Sequence, residues 1–405
     1  MSILKITLNL KYRHHSINLE IGLKIEIDIN ELKVGHYVEK IIKQQGEFHL
    51  TSPGHIKSIQ VINNLKHKKV QTLLIDSSKT IQDSLVNDKK AKLTKELQHA
   101  KRIFSESKNI QKQLFSQALS GATLELGPVI DVCNKSIDAI FNNPDSLACI
   151  INIRDKDEYL LEHSVSVSVY MTLFARYFKF DRDIIEKLSI GAFLHDIGKI
   201  KVPEDILNKP GKLTDVEFTV MKTHANHSIN IIERTPGISK LSLEIAALHH
   251  EKLDGTGYPF QVKAENIHQY GRMIAICDIF DALTATRVYK KGFSHPKAFA
   301  ILRELAQQNH LDESLVDHFI KCIGVFPVGS LVQLNSKKLA MIEARNDHTP
   351  TRPKVRSFYN VTVNDFIDAE DIDLTQTEDS IEKGICAEEF NLDMNKIIEM
   401  LMMDG

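Results

Sequence analysis

No uninterrupted apolar run of the roughly 18 residues that a membrane helix requires occurs in the 405-residue chain, so no membrane span is expected. The opening segment MSILKITLNLKYRHH lacks an apolar signal core followed by a cleavage site, which makes the cytoplasm the expected compartment. Cysteine is sparse: Cys133, Cys149, Cys277, Cys322 and Cys386 are widely spaced, odd in number and form no C-x-x-C, so a disulfide framework and a cysteine zinc site are both excluded. Net charge is nearly absent as well, with 51 Lys and Arg against 53 Asp and Glu. A balance of this kind offers no general attraction to DNA or to an anionic membrane, and any anionic ligand must be held locally. There is no internal repeat and no low-complexity block.

What remains is the composition of an ordinary soluble protein, with 42% hydrophobic and 26% charged residues. At about 150 residues per domain the length predicts two or three domains. In LKIEIDI (23–29) the apolar Leu23, Ile25, Ile27 and Ile29 alternate with charged residues, the pattern of a half-buried strand. With VQTLLID (70–76) and the turn segment SPGH (52–55) it predicts a small α+β domain over 1–80. Residues 81–119 are polar and rich in Lys, Gln and Ser, and read as an exposed helical connector. From 120 to 326 the apolar spacing turns helical, as in the stripe Ile185, Leu188, Ala192 and His195. Pro327 and Gly329 precede SLVQL and AMIEA, which predict a β-hairpin. Residues 363–405 carry 2 Lys and Arg against 13 Asp and Glu, an acidic tail in which EEFNLDMNKIIEML predicts a terminal helix. The expected fold class is therefore mainly α, a helical domain between a small α+β domain and a short β and acidic extension.

The informative residues lie between 163 and 290. His163, the pair His195 and Asp196, His224, the pair His249 and His250, and Asp278 each fall on or at the end of a predicted helix. Imidazoles and carboxylates form the ligand set that first-row divalent metals prefer, a carboxylate can bridge two ions, and seven such groups suit two metals better than one. The helix over 215–232 opens with the capping pattern Thr214-x-x-Glu217, and its stripe Phe218, Met221, Ala225, Ile229 and Ile232 runs beside His224, aiming that imidazole inward. Ile274, Asp278 and Asp281 share one face of a later helix. A carboxylate buried there without a partner would cost several kcal/mol, roughly, and a metal is a natural partner. Any one of these histidines alone is more often a hydrogen-bonded core or surface group; the ordered set is what points to a metal centre.

The set continues into text that strongly resembles the HD-GYP family of cyclic-dinucleotide phosphodiesterases, a subgroup of the HD metal-dependent phosphohydrolases. The matching segments are HDIGKIKVPEDILNKPGKLTDVEF (195–218), MKTH (221–224), HHEKLDGTGYP (249–259) and DIFDALTATRVYKK (278–291), with the GYP triplet at Gly257, Tyr258 and Pro259. The resemblance covers His163 to about Phe326. It implies an all-helical HD-type domain over 120–326 in which His163, His195, Asp196, His224, His249, His250 and Asp278 bind metal, Asp196 being the bridge. It also implies that Lys199, Arg287 and Lys290 contact phosphate, with Asp196 and Lys199 acting in catalysis. Members with a third metal carry Glu four residues before the first histidine; Tyr159 stands there, which favours two divalent ions, Fe(II) or Mn(II).

Gly255, Gly257 and Pro259 suit a tight loop, in which Tyr258 is either a loop anchor or a substrate contact. The resemblance further implies a cyclic di-GMP substrate cut to linear pGpG and in some members to GMP, with 3',3'-cyclic GMP-AMP preferred by some relatives. It implies a GYP loop able to bind a signalling protein. A non-catalytic cyclic-dinucleotide receptor is the competing reading, and a homodimer stays open. The first 80 residues, with ELKVGHYV (31–38) and LLIDSSK (73–79), are similar to an uncharacterised domain found upstream of HD-GYP modules, and show no sign of a phosphoacceptor receiver domain.

Overall fold

The structure, a computed structural model, describes residues 24–46, 50, 52–56, 59–80, 83–152, 159–286, 291–346, 348–390, 392 and 397. The chain divides into two compact units after Leu93.

In the first unit β1 (Lys24–Asp28), β2 (Tyr37–Gln44), β3 (Gly54–His55) and β4 (Val70–Asp76) form an antiparallel sheet of order β1-β4-β2-β3, with α1 (Ile59–His67) between β3 and β4. The apolar run of β4 lies inside the sheet, and its Leu73 is buried with Ile27, Val38, Ile62 and Leu65. Ile27 and Ile29 are buried as the alternation predicts, but Ile25 is 39% exposed. It sits at the start of an edge strand, where the core cluster does not extend. Leu23 lies outside the described residues.

The second unit is mainly α. A long helix α2 (Asp83–Ser120), which belongs to this unit from Thr94 on, leads into α3 (Leu126–Asn142), α4 (Pro144–Ile151), α5 (Tyr159–Tyr177), α6 (Arg182–Leu194), α7 (Glu204–Leu207), α8 (Asp215–Glu233), α9 (Lys240–Leu248), α10 (Gln269–Thr284), α11 (His295–Gln307) and α12 (Glu313–Ile323). The expected stripe of α6 is fully buried, Ile185, Leu188, Ala192 and His195 alike. The expectation of an exposed connector does not hold. Ala100, Ile103, Phe104, Ile110, Leu114, Phe115 and Ala118 of α2 are buried in the helical core. The helix is polar on average, but those residues recur at helical spacing, and such a stripe is what packs.

An aromatic cluster braces the helices that carry the site. Phe280 of α10 stacks on Phe299 of α11 with ring centroids 5.0 Å apart, and meets Tyr170 of α5 edge-on at 5.2 Å and Phe319 of α12 at 5.1 Å. Tyr170 lies two turns after His163 and Phe280 two residues after Asp278, so the packing that buries the rings also sets α5 and α10 in register at the site.

The C-terminal region holds more than the expected hairpin. β5 (Leu331–Leu334), β6 (Lys338–Ala344), β7 (Lys354–Asn360), β8 (Asp365–Asp373) and β9 (Ile381–Ile385) form an antiparallel sheet of order β8-β7-β6-β5-β9. Much of the acidic segment is thus strand. Its charges are tolerated because β8 and β9 are edge strands whose carboxylates meet lysines, as in Lys338 to Glu370 at 2.8 Å and Lys337 to Glu382 at 2.7 Å. Where a terminal helix was expected, Ala387–Phe390 form a 3-10 turn, and most residues beyond Phe390 lie outside the described residues. Among the described residues no helix is long and apolar enough to cross a membrane.

Candidate active site

Helices α5, α6, α8, α9 and α10 bring the predicted ligands together. His163 is on α5, His195 caps the C-terminus of α6, and Asp196 starts a 3-10 turn over Ile197–Lys201. His224 is on α8, which opens with the full capping box between Thr214 and Glu217; His249 caps the C-terminus of α9; and Asp278 is on α10. Gly198 allows the closest of these approaches. A Cβ there would stand 2.2 Å from the His224 carbonyl oxygen and 2.3 Å from Ser228 N, and the Gly198 N–H donates to Ser228 Oγ at 2.9 Å. Only glycine lets the turn that carries Asp196 lie directly on α8.

Four imidazoles, His163, His195, His224 and His249, gather around the Asp196 carboxylate, with Asp278 beside His163 and His250. His163 Nε2 is 3.2 Å from Asp196 Oδ2 and 3.0 Å from Asp278 Oδ1, and His195 Nε2 is 3.3 Å from Asp196 Oδ2. On the other side His224 Nε2 is 3.3 Å from Asp196 Oδ1, and His250 Nδ1 is 3.4 Å from Asp278 Oδ2. Two groups result, His163 with His195 and Asp196, and His224 with His249, His250 and Asp196. In each the ligand atoms lie within 4.8 Å of one another, and Asp196 belongs to both.

Backbone carbonyls decide which imidazole nitrogen faces the centre. Nδ1 of His195, His224 and His249 lies 2.7, 2.6 and 2.6 Å from the carbonyl oxygen three residues earlier, at Ala192, Met221 and Ala246. A proton on each Nδ1 donates to that oxygen and leaves Nε2 as a bare lone pair. His224 Nε2 is nevertheless only 3.4 Å from His249 Nε2 and 3.1 Å from His250 Nε2. The bare Nε2 atoms of His224 and His249 repel at that distance unless a cation lies between them, whereas His250 Nε2 carrying its proton would donate to His224 Nε2. His195 Nε2 and Asp196 Oδ1, both buried, have no hydrogen-bond partner, which is the state of atoms that fit a metal.

The electrostatics favour the same occupant. Burial lowers His224, pushes His249 well below the usual imidazole range and His250 to about 3, so all three present neutral rings at pH 7. Burial would raise the Asp196 carboxyl, but Lys199 and His195 outweigh it and hold Asp196 well below the ordinary range. Asp278 is held down in the same way by His163 and His195. Burial disfavours a charge on His195, yet the adjacent Asp196 raises it, a sign of how strongly the centre attracts positive charge.

Lys199 Nζ donates to Asp196 Oδ2. The GYP loop closes one side. Tyr258 N donates to the His250 carbonyl at 3.2 Å, the Tyr258 ring lies 4.5 Å from the His250 ring, and burial raises the phenol. A Cβ on the buried Gly257 would stand 2.5 Å from Glu251 Cα, so this glycine presses the loop onto the backbone after His250. Arg287 and Lys290 lie outside the described residues, and nothing is described of the Tyr159 side chain.

Two partners went unassigned in the sequence. Asp281, seen there only as sharing a face with Asp278, lies 2.7 Å through Oδ2 from His163 Nδ1. Glu251, 4% exposed, accepts from the N–H groups of Phe260, Gln261 and Val262 at 2.7, 3.1 and 3.2 Å and ties the GYP loop to the residue after His250. The position of Glu251 beside the histidine pair was its signal. Phe218 departs from the expected buried stripe: it is 48% exposed.

Residues 148–315 match the HD domain family, and residues 24–129 match a domain of unknown function, DUF3391, which reaches through α2 into α3. Over residues 148–315 the chain is similar to HD domains, in line with the HD-GYP resemblance of its motifs. Among curated proteins, a cyclic di-GMP phosphodiesterase of Pseudomonas aeruginosa is 34% identical over 269 residues, 66% of this chain and 64% of that protein. A cyclic di-GMP phosphodiesterase of Vibrio cholerae is 39% identical over 211 residues, 50% of this chain and 42% of the relative. The 3'3'-cGAMP-specific phosphodiesterase 3 of Vibrio cholerae is 41% identical over 164 residues, 39% of this chain and 35% of the relative. The chain therefore spans less than two thirds of the length of each.

Proposed function

We propose that this chain is a metal-dependent phosphodiesterase of the HD-GYP kind that hydrolyses cyclic di-GMP to linear pGpG, and onward to GMP, in bacterial second-messenger signalling. The observation that carries this reading is the pair of His and Asp groups sharing Asp196. The relatives named as cyclic di-GMP phosphodiesterases support the substrate, and the cGAMP-specific relative supports 3',3'-cyclic GMP-AMP as the alternative.

His163, His195, His224, His249, His250, Asp196 and Asp278 would hold two divalent ions, Fe(II) or Mn(II), which suit mixed imidazole and carboxylate donors. Bound metals supply an acidified water and positive charge against the phosphodiester. Asp196 joins the two halves of the site. Lys199, held beside it, places a cation where the scissile phosphate carries its charge. Arg287 and Lys290 act on that phosphate or the second one. Gly257 keeps the loop against His250, so that Tyr258 borders the substrate. The free cysteines fit a cytoplasmic enzyme. The GYP loop is offered as the surface for a signalling partner, and a homodimer as the assembly.

Incubation of metal-replete protein with cyclic di-GMP and with 3',3'-cyclic GMP-AMP, followed by chromatography, tests the proposal. Linear pGpG from the first substrate is expected. Preferential cleavage of the second would move the assignment to the alternative, and tight binding of either without turnover would make the protein a receptor.

A further inference from the structure

Phe218 is an apolar side chain in a helix whose Ala225 and Ile232 are fully buried, yet it is 48% exposed. Its ring lies 6.5 Å from the Tyr258 ring at an interplanar angle of 87°, and the Tyr258 ring lies 4.5 Å from the His250 ring. His250, Tyr258 and Phe218 thus form a line of rings from the His and Asp centre to solvent. Phe218 precedes His224 by six residues on α8, about 9 Å along the helix axis. Lys222 Nζ stands 5.4 Å from the Phe218 ring centroid, so a cation accompanies the aromatic face.

We infer that Phe218 is a stacking platform for one purine base of the cyclic dinucleotide, a positioning residue for substrate rather than part of the helix core. This inference rests on the phosphodiesterase reading above. A cyclic dinucleotide whose phosphate sits at the His and Asp centre carries its bases outward, and an exposed aromatic ring along that path gains contact by stacking. The guanine O6 and N7 accept from an ammonium, which gives Lys222 a place beside the stacked base. Val216, 76% exposed, and Phe260, 54% exposed, lie near Phe218 and Tyr258 in sequence, so protein docking at this surface is the rival outcome.

The test compares Phe218→Leu, which keeps an apolar side chain and removes the ring, with Phe218→Trp, which keeps a ring. KM and kcat for cyclic di-GMP are measured with metal content and melting temperature of the same samples. Kd for cyclic di-GMP is measured by calorimetry on metal-free protein. Phe218→Leu is expected to raise KM and Kd by about tenfold, in line with the loss of one base stack, with kcat within about twofold, and Phe218→Trp to restore both. Leucine and tryptophan variants with the KM and Kd of the parent would overturn the platform, as would a fall in kcat at constant KM. If the parent binds cyclic di-GMP without turning it over, the phosphodiesterase reading fails and the Kd ratio alone decides the stacking.

Discussion

His163 Nδ1 donates to Asp281 Oδ2 at 2.7 Å, and that hydrogen bond aims the opposite ring nitrogen at Asp196 and Asp278. A carboxylate behind an imidazole fixes the tautomer and raises the basicity of the nitrogen in front. Asp281→Asn keeps the size and removes the charge. It is expected to weaken metal affinity and phosphodiesterase activity by about 10- to 100-fold with the fold retained. Metal titration of the purified variant checks this; parental affinity would show that His163 needs no such support.

The close approach of Gly198 to α8 predicts that Gly198→Ala disturbs the site from behind. The added methyl meets the His224 carbonyl and Ser228 backbone at 2.2 and 2.3 Å, atoms that cannot rotate away. Either α8 or the turn after Asp196 must shift, at about 1 to 3 kcal/mol. Denaturant unfolding should show that loss, accompanied by reduced metal content because Asp196 and His224 move apart. A variant of parental stability would contradict the contact.

Glu217 closes the capping box of α8: it accepts from Thr214 N at 2.7 Å and receives Lys209 Nζ at 2.6 and 2.7 Å. Lys209, and then the Thr214 backbone, lower its carboxyl from 4.5 to about 2. A carboxyl lowered by folding stabilises the protein fully above its unfolded value and loses that contribution as pH falls through the folded value. Glu217→Gln keeps a capping amide without the charge. Its melting temperature should lie below that of the parent at pH 6, with the gap closing as pH falls from about 4.5 toward 2. A gap that stays constant over this range would show that the charge contributes nothing.

Much of the helical architecture was legible because apolar residues recur at helical spacing, as at Ile185, Leu188 and Ala192, although α6 and α10 are buried over more than one face. The residues that meet around Asp196 could be named because imidazoles and carboxylates on or at the ends of helices have few other reasons to recur in that order. Periodicity could not reveal that Phe218 faces outward, since it marks a face of α8 without saying what covers it. The packing of α2 was hidden by average polarity, while Ile103, Phe104, Leu114 and Phe115 sat in its pattern unused. The edge strands β8 and β9 were masked by their carboxylates, whose lysine partners, Lys338 on β6 and Lys337 in the turn before it, lie far away along the chain. Glu251 and Asp281 act through contacts made only when the chain folds, so residue type alone could not assign them.

The proposed two-metal hydrolytic centre rests on Asp196, which belongs to both groups of candidate ligands. Protein purified anaerobically, with bound metals counted and cyclic di-GMP turnover measured on the same sample, tests this when the parent is compared with Asp196→Ala. The parent should hold about two metals per chain and release linear pGpG. The variant should keep its helical content and lose both metal and activity. Full metal content and undiminished turnover in Asp196→Ala would contradict the bridging role.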